Sequence, residues 1–229
     1  MNVNRRFVIK GLAAGAVAGS TMGVGLRAWA GSPLMAPGAG TASPPVALVS
    51  AGNAEILFTH GARAAAGPSL QVRQLDQSLG ALLNIERLLH SGELRRAVGL
   101  LDDATATLVI DLARSAGARV EWIGRHNSRS AITSHRLITT GISGDGARQL
   151  SSRLDLCGAG YRISETRCDQ TTPDWHLNAD PRSDQYPAEW VSTVGYFLTS
   201  LHGPAKTSPP APLGHTPLSG SFVSFSIVT

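Results

Sequence analysis

The chain has 229 residues, of which 42% are hydrophobic and 16% are charged, and its formal net charge is +4 with a pI of about 9.6. The excess of basic residues lies in residues 1–30, which hold four of the 20 cations and no acid, so the remainder has 16 cations against 16 acids. A near-neutral remainder argues against a nucleic-acid-binding or anionic-membrane surface. About 200 residues after this segment suit one domain with a sizeable core.

The first 30 residues have the layout of an export signal. A basic pair, an aromatic residue and a further cation open the segment, at Arg5, Arg6, Phe7 and Lys10. Residues 11–26 then carry no charge, and small residues surround Ala30, which suits a cleavage site. An uncleaved membrane anchor is the alternative, but this glycine-rich run is shorter than the roughly 20 strongly apolar residues of a spanning helix.

The spacing Arg-Arg-x-x-x-Lys, with Phe7 directly after the pair, resembles the twin-arginine translocation signal. A core rich in Gly and Ala, together with Arg27 close to the cleavage site, favours this route over the general secretory one. The resemblance implies export in the folded state by the twin-arginine translocase, cleavage after Ala30 and a periplasmic protein without a stable membrane anchor. The remainder resembles small proteobacterial proteins of unknown function that are exported by this route. That resemblance transfers no catalytic residue and leaves any cofactor unknown.

Composition divides the rest of the chain into four parts. Residues 31–44 are predicted to be a flexible leader, and residues 45–202 an α/β domain. Residues 203–220 are rich in proline and are predicted to be a linker that packs no core. Residues 221–229 are predicted to be a C-terminal strand.

The two cysteines, Cys157 and Cys168, are separated by ten residues, which does not fit a CxxC metal or redox motif. In an oxidising periplasm this spacing favours a disulfide that closes a short hairpin or loop. Two separate thiols are the alternative.

Strand-then-helix units follow one another in the first half of the predicted domain. The predicted strands are 44–50, 70–76, 96–103 and 118–126. The predicted helices between them are 54–67, 77–92 and 104–117. Three such units closed by a fourth strand imply right-handed crossovers. The sequence therefore predicts a single α/β domain with an open, mostly parallel, Rossmann-like sheet flanked by helices, followed by a mixed C-terminal part.

The second half shows a looser pattern. A strand is predicted over 134–142, a turn with a short helix or edge segment over 144–154, and a helix over 186–203. Residues 219–229 alternate with a period of two, which predicts a last strand that joins the sheet across the linker.

In open parallel sheets, ligands bind beyond the carboxyl ends of the strands, near the point where strand order reverses. This rule selects polar residues that follow the predicted strands, namely Ser50, Asn53, Asp102, Asp103, Thr105, Arg125 and His126. The loop after the first strand matches neither GxGxxG nor GxxxxGK[ST], so the sequence does not support a nucleotide site. The Asp-Asp pair also fits a helix N-terminus, with Asp103 as the capping residue.

Two other arrangements stay open as alternatives. His126 and His135 could bind a metal with Asp102 or His176, although no HExxH or HxH spacing is present, and no metal site is predicted. A Ser/His/Asp hydrolase could use Ser50, Asp102 and His126, although the GxSxG motif is absent.

The lack of a reaction motif favours a non-catalytic periplasmic protein, an accessory or ligand-binding module that acts beside a larger exported enzyme. The alternative is a small hydrolase or metal-dependent enzyme that uses residues at the strand ends, so enzymatic activity is left undecided. Residues 125–130 and Arg136 form a small basic cluster. It is interpreted as a solvated loop, with an anionic ligand or the acids of a partner as the alternative.

Overall fold

The computed structural model describes residues 45–129, 132–140, 146–168, 175–182, 188–202, 209–211, 213 and 218–229. Within these residues the strands are β1 (Val46–Val49), β2 (Gln71–Gln74), β3 (Arg96–Asp102), β4 (Arg119–Arg129), β5 (Ile132–Thr139), β6 (Gly160–Arg167), β7 (Trp175–Ala179) and β8 (Gly220–Val228). The helices are α1 (Asn53–Ala66), α2 (Leu79–Ser91), α3 (Asp103–Ser115), α4 (Gly146–Cys157) and α5 (Glu189–Ser200). The predicted export signal and leader lie outside the described residues.

The described strands form one mixed sheet in the order β2-β1-β3-β8-β4-β5-β6-β7. The pairs β1–β2, β1–β3 and β5–β6 are parallel, whereas β3–β8, β4–β8, β4–β5 and β6–β7 are antiparallel. The predicted α/β class and the three strand–helix units are confirmed. The prediction of a mostly parallel sheet is wrong, because β8 runs antiparallel between β3 and β4, and β5 pairs antiparallel with β4.

The C-terminal strand β8 is confirmed, but it lies in the middle of the sheet and not at its edge. Its residues from Val223 to Ile227 are all buried. Phe225 and Ile227 belong to the core under one face of the sheet, whereas Ser224 hydrogen-bonds with side chains on the other face. The last residues of the chain therefore complete both cores.

Helices cover both faces of the sheet. On one face, which we call the α5 face, α1, α4 and α5 pack over Trp122 and Leu137. On the other, which we call the α3 face, α2 and α3 pack over Leu101 and Phe225. Helices α1 and α5 pack closely against each other because Gly61 and Gly195 leave room for the partner backbone.

The two cysteines lie far apart and are free thiols. Cys157 ends α4, whereas Cys168 follows the eight-residue strand β6. A strand of that length spans more than about 20 Å, since each residue rises about 3.3 Å. A disulfide needs Cα atoms within about 7 Å of each other. The predicted disulfide is therefore wrong, because the segment between the cysteines is an extended strand and not a closed loop.

Candidate functional site

Three of the predicted site residues form a hydrogen-bonded cluster at the carboxyl ends of β1 and β3. The Ser50 hydroxyl accepts a bond from the Asp102 backbone N–H at 3.3 Å and lies 3.5 Å from its carboxylate. The Asp102 carboxylate accepts a bond of 2.9 Å from the backbone N–H of Thr105. Asp102 is thus the cap of α3, and the prediction that Asp103 caps this helix is wrong, because Asp103 is already its first helical residue. Asn53 stands apart, exposed at the start of α1.

The capping role accounts for the charge of Asp102. Burial acts to raise the pKa of this carboxyl, but the hydrogen bonds from Thr105 and neighbouring backbone groups lower the pKa below its ordinary value. The carboxylate is therefore charged at neutral pH, and it accepts a hydrogen bond from the first turn of α3. These contacts explain the Ser50–Asp102–Thr105 cluster as a structural feature.

The inserted strand β8 separates Asp102 from His126. Both residues are in register with Phe222, one on each side of it. Two strand spacings separate their backbones, roughly 10 Å. The alternative hydrolase arrangement of Ser50, Asp102 and His126 does not assemble, because β8 lies between β3 and β4. In addition, β4 continues to Arg129, so Arg125 and His126 lie within a strand and not beyond its end.

His126 belongs to a buried polar network on the α5 face. Its Nε2 lies 2.7 Å from the Ser224 hydroxyl, which accepts a bond of 2.9 Å from the indole N–H of Trp122. Its Nδ1 lies 2.7 Å from Nδ1 of His135, and its ring stacks on Trp190. His126 and His135 are only 1% and 2% exposed.

Both imidazoles in this network are neutral. Burial, and then the neighbouring His135, hold the pKa of His126 well below its ordinary value. Burial lowers the pKa of His135 to about 3. Because Ser224 is fully buried as well, a substrate cannot reach its hydroxyl from solvent in this arrangement. We therefore interpret this network as a structural part of the core and not as a reaction site.

The residues considered as an alternative metal set are not brought together. His126 and His135 point to the α5 face, whereas His176 on β7 is exposed in register with Ser164, and Asp102 caps α3. Within the described residues, no three His, Cys, Asp or Glu side chains are grouped in a way that could hold a metal ion.

A group of polar and basic side chains lies on a part of the α3 face that no described helix covers. Helices α2 and α3 pack over β3, β8 and part of β4, and no described helix lies over β5, β6 or β7 on this side. Eight polar side chains here are exposed or half-buried, and we call them the basic sheet face: Arg125, Asn127, Ser134, Arg136, Arg162, Ser164, His176 and Asn178.

Two arginines of the basic sheet face stand directly opposite each other. Arg125 on β4 is in register with Arg136 on β5, and like charges in this position destabilise a sheet. Asp103 lies 4.0 Å from Arg125, but both side chains are about 60% exposed, so solvent screens this ion pair. Arg136 has no ion pair among the described residues. Within the part of the chain that the structure describes, one positive charge at this point is therefore without a paired carboxylate.

A cavity of about 270 Å³ opens over the two arginines. Its lining comprises Asp103, Arg125, His126, Asn127, Ser134, Arg136, Ser221 and Phe222. Arg162 extends the positive surface, since it is in register with Ser134 and lies on the next strand. Its backbone is roughly 8 Å from that of Arg136. The cavity is thus bordered by guanidinium groups that suit a carboxylate or phosphate oxygen.

The structure therefore brings Asp103, Arg125 and His126 to one cavity, although the imidazole of His126 lies on the opposite face. Sequence reasoning treated Arg136 as part of a solvated loop and did not consider Arg162. In the structure, exposed and buried residues alternate from Thr133 to Thr139, but the letters of this stretch do not show it, because His135 is buried and Ile138 is exposed. Such alternation is typical of a strand with one face open to solvent.

Among the described residues, no helix is both long and apolar enough to cross a membrane. Comparisons of the chain with protein families, with curated proteins and with solved structures find no match in any of the three.

Proposed function

We propose that the protein is an exported, non-catalytic binding module that receives an anionic group at the basic sheet face. The observation that carries this proposal is the pair Arg125 and Arg136, which face each other beneath a solvent-open cavity. An anion placed between them removes their mutual repulsion and gains charge-assisted hydrogen bonds. A catalytic role has less support, because Ser224 and His126 are in contact but buried.

The expected affinity is moderate. Hydrogen bonds to charged groups contribute about 1.5–3 kcal/mol each, and two or three of them at about 2 kcal/mol each sum to about 4–6 kcal/mol, which corresponds to dissociation constants between about 40 μM and 1 mM. The anionic group belongs either to a small polycarboxylate or to acidic side chains of a larger exported enzyme beside which the module acts. Carboxylate recognition is common to both sources.

Calorimetric titration with citrate and with a peptide of glutamates tests the proposal and separates the two sources. We expect the double variant Arg125→Gln/Arg136→Gln to weaken binding of these probes at least about tenfold, since two charged contacts are lost. The matched control is Arg87→Gln, which removes an exposed arginine from α2. Tighter binding of the peptide indicates a protein partner, and tighter binding of citrate a small ligand. Equal affinities of the double variant and the control would contradict the site.

We also propose that export follows the twin-arginine route to the periplasm. The variant Arg5→Lys/Arg6→Lys is expected to stay in the cytoplasm with its first 30 residues attached, because the export receptor reads the guanidinium pair and not its charge alone. N-terminal sequencing of the periplasmic and cytoplasmic fractions measures this. Normal cleavage after Ala30 in the variant would show that another route is used.

A further inference from the structure

A second cavity, separate from the basic sheet face, lies between α4 and α5. We call it the α4–α5 cavity, and its volume is about 290 Å³. Its lining includes Arg153, Leu156, Cys157, Tyr196, Pro209 and Pro210. A water molecule in the liquid occupies about 30 Å³, so the cavity has room for a chain of roughly eight to ten methylene-sized groups.

The walls of this cavity are largely apolar and are held in place. Tyr196 is buried beneath it, and Leu156 at its rim is 85% exposed. The wall formed by the two prolines is fixed just beyond them, because the Ala211 carbonyl lies 3.2 Å from Nε2 of His60 on α1. The proline-rich segment was predicted to pack no core, yet here it closes one side of a cavity.

The carboxyl group of Glu189 is not free to receive a ligand. The Glu189 residue is only 5% exposed, and burial raises the pKa of its carboxyl group, with smaller opposite contributions from the Leu213 backbone N–H, the Ser192 hydroxyl and the charge of His60. Its contacts therefore connect α5 to the proline-rich segment. This leaves Arg153 as the charged group of the cavity that can meet a ligand.

Arg153 lies where the cavity meets a second, more open hollow. Its guanidinium carbon is 4.4 Å from the centre of the Tyr196 ring, which orients the group through a cation–π contact. The hollow has a volume of about 500 Å³ and is lined by Arg148, Gln149, Ser152, Arg153 and Leu156. A second cation, Arg148, thus stands near the first, outside an apolar cavity.

We propose that the α4–α5 cavity binds amphipathic carboxylates, with the hydrocarbon chain inside the cavity and the carboxylate on Arg153. The exposed Leu156 side chain is covered by the part of the chain nearest the carboxylate. This site is independent of the basic sheet face, and its ligand has a different chemistry, since it combines one charge with an apolar tail.

The cysteines provide a direct reporter of occupancy. Cys157 lines the cavity and is half-buried, whereas Cys168 is exposed beyond the far end of β6. We expect octanoate to slow alkylation of Cys157 by iodoacetamide in a saturable way and to leave Cys168 unchanged. Among butanoate, hexanoate and octanoate, affinity should rise about fourfold for each added methylene, as expected for burial of apolar surface.

A set of variants and probes distinguishes the contribution of the ligand's carboxylate to affinity from that of its hydrocarbon tail. Arg153→Gln is expected to weaken the binding of octanoate at least about tenfold, because a charged hydrogen bond is lost. Arg87→Gln should leave the affinity for octanoate unchanged. Arg153→Lys keeps the charge and should restore part of the affinity. Three outcomes would overturn the proposal: no protection of Cys157, equal protection of both cysteines, or tighter binding of octylamine than of octanoate.

Discussion

Gly61→Ala is expected to destabilise the protein by about 3 kcal/mol or more, although alanine is the better helix former. In an exposed helix this change would add roughly 0.5–1 kcal/mol of stability. At Gly61 a methyl group would instead overlap the carbonyl oxygen of Ser192 and lie 2.7 Å from its carbonyl carbon. Since both are backbone atoms, α1 and α5 would have to move apart. Urea unfolding followed by circular dichroism measures the loss.

Two further glycines make this prediction specific. Gly195→Ala should cost a similar amount, because its methyl group would overlap the carbonyl oxygen of Phe58 on α1. Gly80→Ala is the matched control, since the nearest atom to its methyl group would be the Ser78 Oγ, 4.0 Å away in the first turn of α2. A stability of Gly61→Ala equal to or above that of Gly80→Ala would contradict the close packing of α1 on α5.

Acidification from about pH 7.5 to about pH 5 is expected to remove roughly 4 kcal/mol of stability, about 2 kcal/mol for each of His126 and His135. Both have pKa values in the folded state below the ordinary value of 6.5. The unfolded chain therefore binds more protons as the pH falls below about 6.5. The stabilisation is fully present above that pH and is lost as the pH falls towards the pKa of the folded state, about 3 for His135. Urea unfolding at a series of pH values measures the slope.

The control for this prediction removes one titrating ring. His135→Asn keeps a polar partner for His126 and should lower the pH-dependent loss by about half, even if it is less stable at neutral pH. His90→Gln, at an exposed histidine at the end of α2, is the matched substitution against which the slope of His135→Asn is compared. If His135→Asn keeps the full slope, the buried pair is not the origin of the acid sensitivity.

Much of the fold could be predicted from local sequence patterns, because strands and helices leave a periodic signal. The three strand–helix units, α5 and β8 were all visible in this way. The position of β8 was not, since strand order depends on long-range pairing, and the alternation of Phe222 to Ile227 indicates a strand but not its neighbours. The insertion of β8 between β3 and β4 then separated Asp102 from His126.

The candidate site was predictable only in part, for a related reason. Arg125 and Asp103 were selected by the rule for parallel sheets, but they meet on the face of an antiparallel region. Arg136 and Arg162 joined them through the register of β5 with β4 and β6, which no local pattern specifies. The disulfide prediction failed similarly, because spacing along the chain does not show whether a segment closes or extends.

The most direct test of the basic sheet face is a citrate titration followed by two-dimensional amide NMR spectra of the protein. We expect saturable shifts, within about 10 mM citrate, of the amides at Arg125, Ser134, Arg136 and Arg162, with smaller changes elsewhere. We also expect these shifts to disappear in Arg125→Gln/Arg136→Gln. Saturable shifts confined to the other end of the sheet or to α4 and α5, or none at all, would contradict the proposed site.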